Sequence, residues 1–291
     1  MLLRQLISEG TATVSQAFPE REAREMVQLY LEHTLGTSRH THIVEPSYAV
    51  SDAVVSDAMK AFARMASGEP IQYIIGTAYF YGRDFLVTPA VLIPRPETEL
   101  LCREVMDWVR SHGVPRAGLR IADLCTGSGC IAWTLALELP GAEVLAVDIS
   151  DRALDVAAGQ SFGKEDCKSP TFFKADVLAG PQDRFGTFDV MVSNPPYVME
   201  SEKALMRKNV LEHEPELALF VPDNDPLIFY RAVADWAKAL LKPGGLCVVE
   251  INETLGEETA EVFRIRGFRD VQVLKDLSER ERFVRAIQDF S

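Results

Sequence analysis

A chain of 291 residues, 47% of them apolar, has room for one large core and a second smaller one. Its formal net charge of −13 argues against a protein that grips nucleic acid mainly through phosphates. With no apolar run near the ~18 residues of a membrane span, no apolar leader, and five Cys and five His without metal-ligand spacing, a soluble cytoplasmic protein with reduced thiols and no metal is expected.

Residues 1 to about 70 read as helical. Apolar residues recur at three- and four-residue steps: Met26, Leu29 and Tyr30 in 21–35, then Val55, Met59 and Phe62 in 52–65. Pro19 and Pro46 punctuate the region, and Ser67-Gly68-Glu69-Pro70 ends it. Over 1–70 there are 6 Lys/Arg and 9 Asp/Glu, so this is not a basic arm. Two β-rich runs, 78–81 and 85–87, flank Gly82-Arg83-Asp84 and predict a hairpin. Pro94-Arg95-Pro96 then leads through Glu97-Thr98-Glu99 into a helix with Leu101, Val105, Trp108 and Val109 on one face. Arg95 and Glu99 could position the substrate or the domains, or form a structural salt bridge.

From Leu119 strands and helices alternate. Strands are predicted at 120–124, 143–147, 171–173, 189–192 and 246–251, and helices at 129–139, 151–160 and 226–241. That alternation calls for an α/β fold with a parallel sheet covered on both faces. A helix over 255–266 follows. Then come β-rich segments at 268–274 and 282–287, which can close the sheet edge as an antiparallel pair. The division this suggests is a helical domain over 1–72, a β-hairpin linker over 73–96 and an α/β domain over 97–291.

The stretch Asp123-Leu124-Cys125-Thr126-Gly127-Ser128-Gly129 lies where the first strand of the sheet meets its helix. Gly127 and Gly129 permit a tight turn and close backbone approach, and in such sheets ligands bind beyond the carboxyl ends of the strands. The second strand ends at Asp148, with Ile149 next, and a carboxylate there can accept both hydroxyls of a ribose. Gly127-x-Gly129-x-x-Ala132 also fits the loose dinucleotide fingerprint. Asp123 shifts the balance, because a phosphate cradle gains little from an acid and a cationic ligand gains much. S-adenosylmethionine carries an ammonium, a sulfonium and a ribose, and no phosphate. The third strand leads to Ala175-Asp176-Val177, where Asp176 can face an adenine amino group. The plainer alternative makes Asp123 and Asp176 helix caps or turn residues.

The fourth strand leaves through Ser193-Asn194-Pro195-Pro196-Tyr197-Val198. Asn194 and Pro195 each precede a proline and are held extended, and neither proline has an N–H. The corner therefore offers carbonyl acceptors, the Asn194 side-chain oxygen and the flat ring of Tyr197. That set suits a planar –NH2 group, with its two hydrogens accepted by the Asn194 side chain and the Pro195 carbonyl. Accepting both would raise electron density on a weakly nucleophilic nitrogen and orient it toward a sulfonium methyl. No histidine or carboxylate in the motif is placed as a base, so proton loss would follow transfer. A bare Pro-Pro turn at a sheet edge is the competing reading.

These stretches resemble the HemK/PrmC family of protein-glutamine methyltransferases that modify release factors. The matching segments are GEPIQYIIG (68–76), FLVTPAVLIPRPETE (85–99), DLCTGSGCIA (123–132), AVDIS (146–150), VSNPPYV (192–198), EHEPELAL (212–219) and GFRDVQVLKDLSERERFV (267–284). The resemblance implies a Rossmann-like class I S-adenosylmethionine-dependent methyltransferase, its sheet mostly parallel with an antiparallel C-terminal strand. A small N-terminal helical domain and a connecting hairpin would precede it. It implies methylation of the side-chain nitrogen of the glutamine in a Gly-Gly-Gln motif of class-1 peptide chain release factors. S-adenosylmethionine would be consumed and S-adenosylhomocysteine released. Asn194, Pro195, Pro196 and Tyr197 would form the substrate motif. Cys125, Thr126, Gly127, Ser128, Gly129, Asp148 and Asn194 would line the cofactor, and the helical domain would dock the release factor. The partner would be protein, without direct nucleic-acid or membrane binding, and the enzyme a monomer. The family usually writes the loop as Gly-Thr-Gly-Thr-Gly. Cys125 therefore requires either an unstrained φ or a slightly altered loop, and is read as an apolar filler rather than a catalytic thiol.

Three other functions use part of the same pattern. An adenine or cytosine amino-methyltransferase shares the corner chemistry but must extrude a base and hold its backbone, which the acidic balance disfavours. An NAD(P)-dependent oxidoreductase explains the glycines and leaves the Asn-Pro-Pro-Tyr corner without a purpose. A non-catalytic cofactor-binding regulator has no need of the intact motif.

Overall fold

Apolar residues at three- and four-residue steps fold the first part of the chain into helices in the computed structural model, which describes residues 1–163 and 167–289. They are α1 (Leu3–Val14), α2 (Glu20–Leu35), α3 (Thr41–Val44), α4 (Asp52–Ala66) and α5 (Ile71–Ile75). Pro19 precedes the first turn of α2, and Gly36, at φ +62°, ends it in the left-handed cap that only glycine adopts cheaply. Leu6, Val14, Val27, Leu31, Phe62 and Met65 form one core. Sequence periodicity picked out α2 and α4 by name. Residues 73–75, which the sequence division assigns to the hairpin linker, belong to the short helix α5 instead.

A two-stranded ribbon follows, β1 (Thr77–Phe80) and β2 (Arg83–Leu86). Its turn is Tyr81-Gly82, one residue earlier than predicted, with φ of +48° and +78°. Both signs match the right-handed twist of a tight hairpin. Glu99 stabilises this turn by accepting the Tyr81 N–H at 2.8 Å. The first helix of the α/β part, α6 (Glu99–Ser111), is entered through a 3-10 turn at Pro96–Thr98. Then come β3 (Arg120–Leu124), α7 (Cys130–Glu138), β4 (Glu143–Asp148), α8 (Asp151–Ala158), β5 (Thr171–Lys174) and β6 (Phe188–Ser193). The short pieces β7 (Val198–Met199), α9 (Lys208–His213) and β8 (Phe220–Val221) follow. The chain ends in α10 (Ile228–Leu240), β9 (Leu241–Glu250), α11 (Gly256–Ile265), β10 (Arg269–Lys275) and β11 (Glu281–Ile287).

The described chain forms two compact units. One holds Met1–Thr77 with Met206–Glu214, so α9 belongs to it, and the other holds Ala78–Leu205 with the described residues from Pro215 on. In the second unit a seven-stranded sheet has the order β10-β11-β9-β6-β3-β4-β5. The five strands from β9 to β5 are parallel. β11 is antiparallel to β9, and β10 to β11, as the predicted edge pair requires. The strand order reverses at β3, which pairs with β4 on one side and β6 on the other, so the crevice beyond its carboxyl end is the natural ligand position.

The pleat divides the buried residues between two faces. Ile121, Val190, Val192, Leu246 and Val248 pack with Leu101 and Val105 of α6 and Leu135 of α7. Ala122, Leu124, Met191, Cys247 and Val249 pack with Tyr230 and Trp236 of α10 and Phe263 of α11. Strands buried on both faces read as continuous apolar runs, which is how they stood out in the sequence.

Candidate active site

The loop after β3 is organised from below by Asp123. That residue shares the face of Ile121, so the pleat points it under the first turn of α7. It is wholly buried, and its Oδ2 accepts the Thr126 hydroxyl at 2.6 Å. Its Oδ1 is buried without a hydrogen-bond partner among the described residues. Burial pushes the carboxyl up to about 7, although the Thr126 hydroxyl and the Ala132 backbone N–H favour the charged form.

A pKa raised on folding stabilises the protein below the unfolded value, and that stabilisation is lost as pH rises toward 7. Asp123→Asn has no such charge to bury. Between pH 5 and pH 8 the wild-type apoprotein should therefore lose about 3 kcal/mol relative to Asp123→Asn. Denaturant unfolding of both proteins at the two pH values measures this, and a gap independent of pH would show that Asp123 ionises freely.

The glycine loop then turns tightly. Cys125 takes φ +61°, so the unstrained φ expected there does not occur. It keeps the left-handed backbone that glycine would use, at a cost of about 1 kcal/mol. Burial and the neighbouring Asp148 hold its thiol far above the ordinary range, so it stays protonated. Gly127, at φ +55°, has nothing within 4 Å of where a Cβ would stand. At Gly129 a Cβ would lie 3.0 Å from that of Ala157 and 3.2 Å from the Trp133 ring, so α7 and α8 can approach only over a glycine.

Asp148, at the end of β4, accepts the Gly127 N–H on Oδ2 and the Ser150 N–H on Oδ1, both at 2.9 Å. Burial raises its pKa and those backbone N–H groups oppose the rise. Asp176 lies two residues past β5, and its Oδ1 accepts the Leu178 N–H at 2.9 Å. It caps the 3-10 turn Val177–Ala179 and also lines the cavity, so the cap and the cavity-facing position coincide in one residue.

The Asn-Pro-Pro-Tyr corner starts from a fixed point, because the buried Ser193 Oγ donates to the Leu124 carbonyl at 2.7 Å. Asn194 Nδ2 donates to Thr98 Oγ1 at 3.3 Å. Thr98 Oγ1 donates to Glu250 Oε2 at 2.7 Å, and the Tyr197 hydroxyl donates to Glu250 Oε1 at 3.0 Å. Asn252 Nδ2 donates to the Tyr197 carbonyl at 3.3 Å and to Glu202 Oε2 at 2.9 Å. Burial raises the Glu250 pKa, while the Thr98 and Tyr197 hydroxyls and the positive charge of Arg282 hold it down. Burial and the adjacent Glu250 push the Tyr197 phenol well up.

A cavity of about 280 Å³ is shared by the glycine loop and the Asn-Pro-Pro-Tyr corner. Cys125, Thr126, Gly127, Ser128, Asp148, Ile149, Asp176, Val177, Asn194 and Pro196 all line it. Four predicted site residues do not. Asp123 lies beneath α7 for the reason of pleat given above, and Gly129 is spent on helix packing. Pro195 is buried. Tyr197 packs against the α10–α11 core with its hydroxyl drawn to Glu250. Thr98, Glu250 and Asn252 were missed by sequence reasoning. Glu250 carries one signal: an acid that ends the apolar run Leu246-Cys247-Val248-Val249 on the buried face. Thr98 carries none, since it bonds Asn194 across 96 residues of chain and Glu250 across 152.

The cavity fits an adenosyl group. A carboxylate preset by two backbone N–H bonds can still accept from a ribose, the apolar side chains of Ile149 and Val177 can flank a base, and Gly127 leaves space for close approach. Among the described residues no group of three or more His, Cys, Asp or Glu could hold a metal ion, and no helix is long and apolar enough to cross a membrane.

Two family models match the chain, the PrmC N-terminal domain over residues 5–76 and the methyltransferase small domain over residues 109–217. A release factor glutamine methyltransferase of Bacteroides thetaiotaomicron is 39% identical over 274 residues, covering 94% of this chain and 96% of its own. One of Flavobacterium psychrophilum is 35% identical over 288 residues, covering 98% and 99%. Among solved structures, the hMettl16 catalytic domain in complex with the MAT2A 3′UTR hairpin 6 matches with a TM-score of 0.54 at 17% identity, over 84% of each chain, a likeness of fold alone.

Proposed function

The chain belongs to the release factor glutamine methyltransferase family, and from that premise we propose that it methylates the side-chain amide nitrogen of the glutamine in the Gly-Gly-Gln motif of class-1 release factors. S-adenosylmethionine, when bound, supplies a methyl group on a positively charged sulfur. The chain's own residues bind, orient and polarise around it. Asp148 would accept from the ribose, Asp176 and Val177 would border the base, and the loop residues 125–128 would hold the remainder of the cofactor.

Asn194 is assigned the chemical role. Its Nδ2 is engaged by Thr98, so its Oδ1 is the atom available to accept an N–H from the incoming amide. The second N–H is assigned to the Pro195 carbonyl, although Pro195 is not among the residues that line the cavity and its carbonyl would have to be reached as the substrate binds. With both hydrogens held, the nitrogen is oriented for in-line attack, and electron density on it rises as positive charge develops. After transfer the nitrogen carries an extra proton and is strongly acidic, so the proton can leave to water. The observation that carries this reading is the shared cavity: Asn194 and Pro196 line the same space as Asp148 and the glycine loop.

Labelled S-adenosylmethionine offered with a release factor, total RNA and DNA in turn tests it. Label is expected in the release factor alone, at its Gly-Gly-Gln glutamine. Label in nucleic acid, or in none of the three, defeats the proposal.

A further inference from the structure

We propose that Thr98 and Glu250 are positioning residues that decide which way round the Asn194 amide faces. The inference rests on the reading above, in which the Asn194 oxygen must face an incoming –NH2. An asparagine amide is nearly symmetric in shape, and two orientations half a turn apart fit the same space. One presents an oxygen to the cavity and the other an –NH2, which would meet the substrate donor to donor.

The bond chain ending at Glu250 removes this choice. Glu250 is 1% exposed, and as a carboxylate it can only accept. Its Oε1 is taken by the Tyr197 hydroxyl, and its Oε2 by Thr98 at 2.7 Å. A threonine hydroxyl has one hydrogen, and here it is committed to Glu250. Only lone pairs remain on Thr98 Oγ1 for its other neighbour, Asn194 Nδ2 at 3.3 Å. A flipped Asn194 would set two acceptor oxygens against each other with no hydrogen between them. An acceptor-only group at the far end therefore fixes the donor sense of each bond back to the reacting corner. The fold supplies the geometry through the pleat: Val248 shares a face with Val192 and Leu101, and Glu250 continues that face to Thr98.

Three substitutions separate this role from simple packing. Thr98→Val keeps the shape and loses the hydroxyl, and Thr98→Ser restores the hydroxyl. Glu250→Gln keeps the shape but can donate to Thr98, which frees Thr98 to donate to a flipped Asn194. Thr98→Val and Glu250→Gln should lower kcat by roughly tenfold or more. S-adenosylhomocysteine affinity should stay within about twofold, Thr98→Val should lower the melting temperature by a few degrees because Glu250 Oε2 loses its donor, and Thr98→Ser should recover most of the rate. A second readout needs no turnover: the side-chain 15N–1H2 signals of Asn194, assigned by their absence in Asn194→Ala. In the wild type one hydrogen should be protected from exchange, and that protection should vanish in Thr98→Val and weaken in Glu250→Gln. Full activity in Thr98→Val, or unchanged Asn194 signals in both variants, overturns the inference. A wild-type protein that transfers no label to release factors defeats the functional reading instead, and the amide signals still decide this one.

Discussion

Asn194→Ala is expected to reduce methyl transfer to a release factor by about a thousandfold, while S-adenosylhomocysteine affinity changes by no more than a few-fold. Removing one preorganised hydrogen-bonding group from a reacting centre typically lowers kcat by about 10²–10³, and here the lost oxygen also orients the nucleophile. The rest of the corner should survive. Ser193 stays tied to the Leu124 carbonyl, and the Tyr197 hydroxyl to Glu250. Thr98 keeps its bond to Glu250 and loses only its Asn194 partner. Single-turnover label transfer gives the rate, and calorimetry with S-adenosylhomocysteine gives the affinity. A variant within tenfold of wild-type turnover would remove Asn194 from the chemistry. Loss of affinity in step with turnover would make it a cofactor residue only.

Asp148→Ala should act on the other half of the site, weakening S-adenosylhomocysteine binding by about a hundredfold or more. Two hydrogen bonds from a ribose to a carboxylate are each worth about 1.5–3 kcal/mol. The substitution also strips partners from the Gly127 and Ser150 N–H groups, which Asp148 holds at 2.9 Å. The glycine loop should then lose order as well as its ligand. Asp148→Asn separates the two effects: its one carbonyl oxygen can keep a single backbone bond, so it should fall between wild type and alanine. Affinity in Asp148→Ala close to wild type would mean that the ribose is held elsewhere.

Both predictions rest on residues that were legible before folding, and the site as a whole was legible only in part. Gly127, Asp148 and the Asn194 corner stood out because each lies at the end of an apolar run, where a parallel sheet places its ligand. Four of the five parallel strands were readable for the same reason, since burial leaves uninterrupted apolar segments, whereas β5 at the sheet edge is mostly exposed and was marked by its two phenylalanines. The hairpin was placed one residue late, because turn type depends on the φ of Tyr81, which composition does not reveal. Cys125 was expected to avoid the left-handed region, and the loop's bonds to β4 hold it there: Thr126 N–H donates to the Val147 carbonyl at 3.0 Å, and Gly127 N–H to Asp148.

The amino-acid sequence by itself determined which chemistry was on offer: acceptor carbonyls without competing donors, a carboxylate beyond a glycine loop, and a sheet to carry them. Periodicity and proline stereochemistry are local, so they can be read along the chain. Only the tertiary structure decided which of those groups face the cavity. The pleat turned Asp123 under α7, and packing drew the Tyr197 hydroxyl inward to Glu250. The fold also brought Thr98 and Glu250, 152 residues apart, to within 2.7 Å of each other beside Asn194. A hydrogen bond across that separation leaves no periodic trace, because its partners share only a place in the fold.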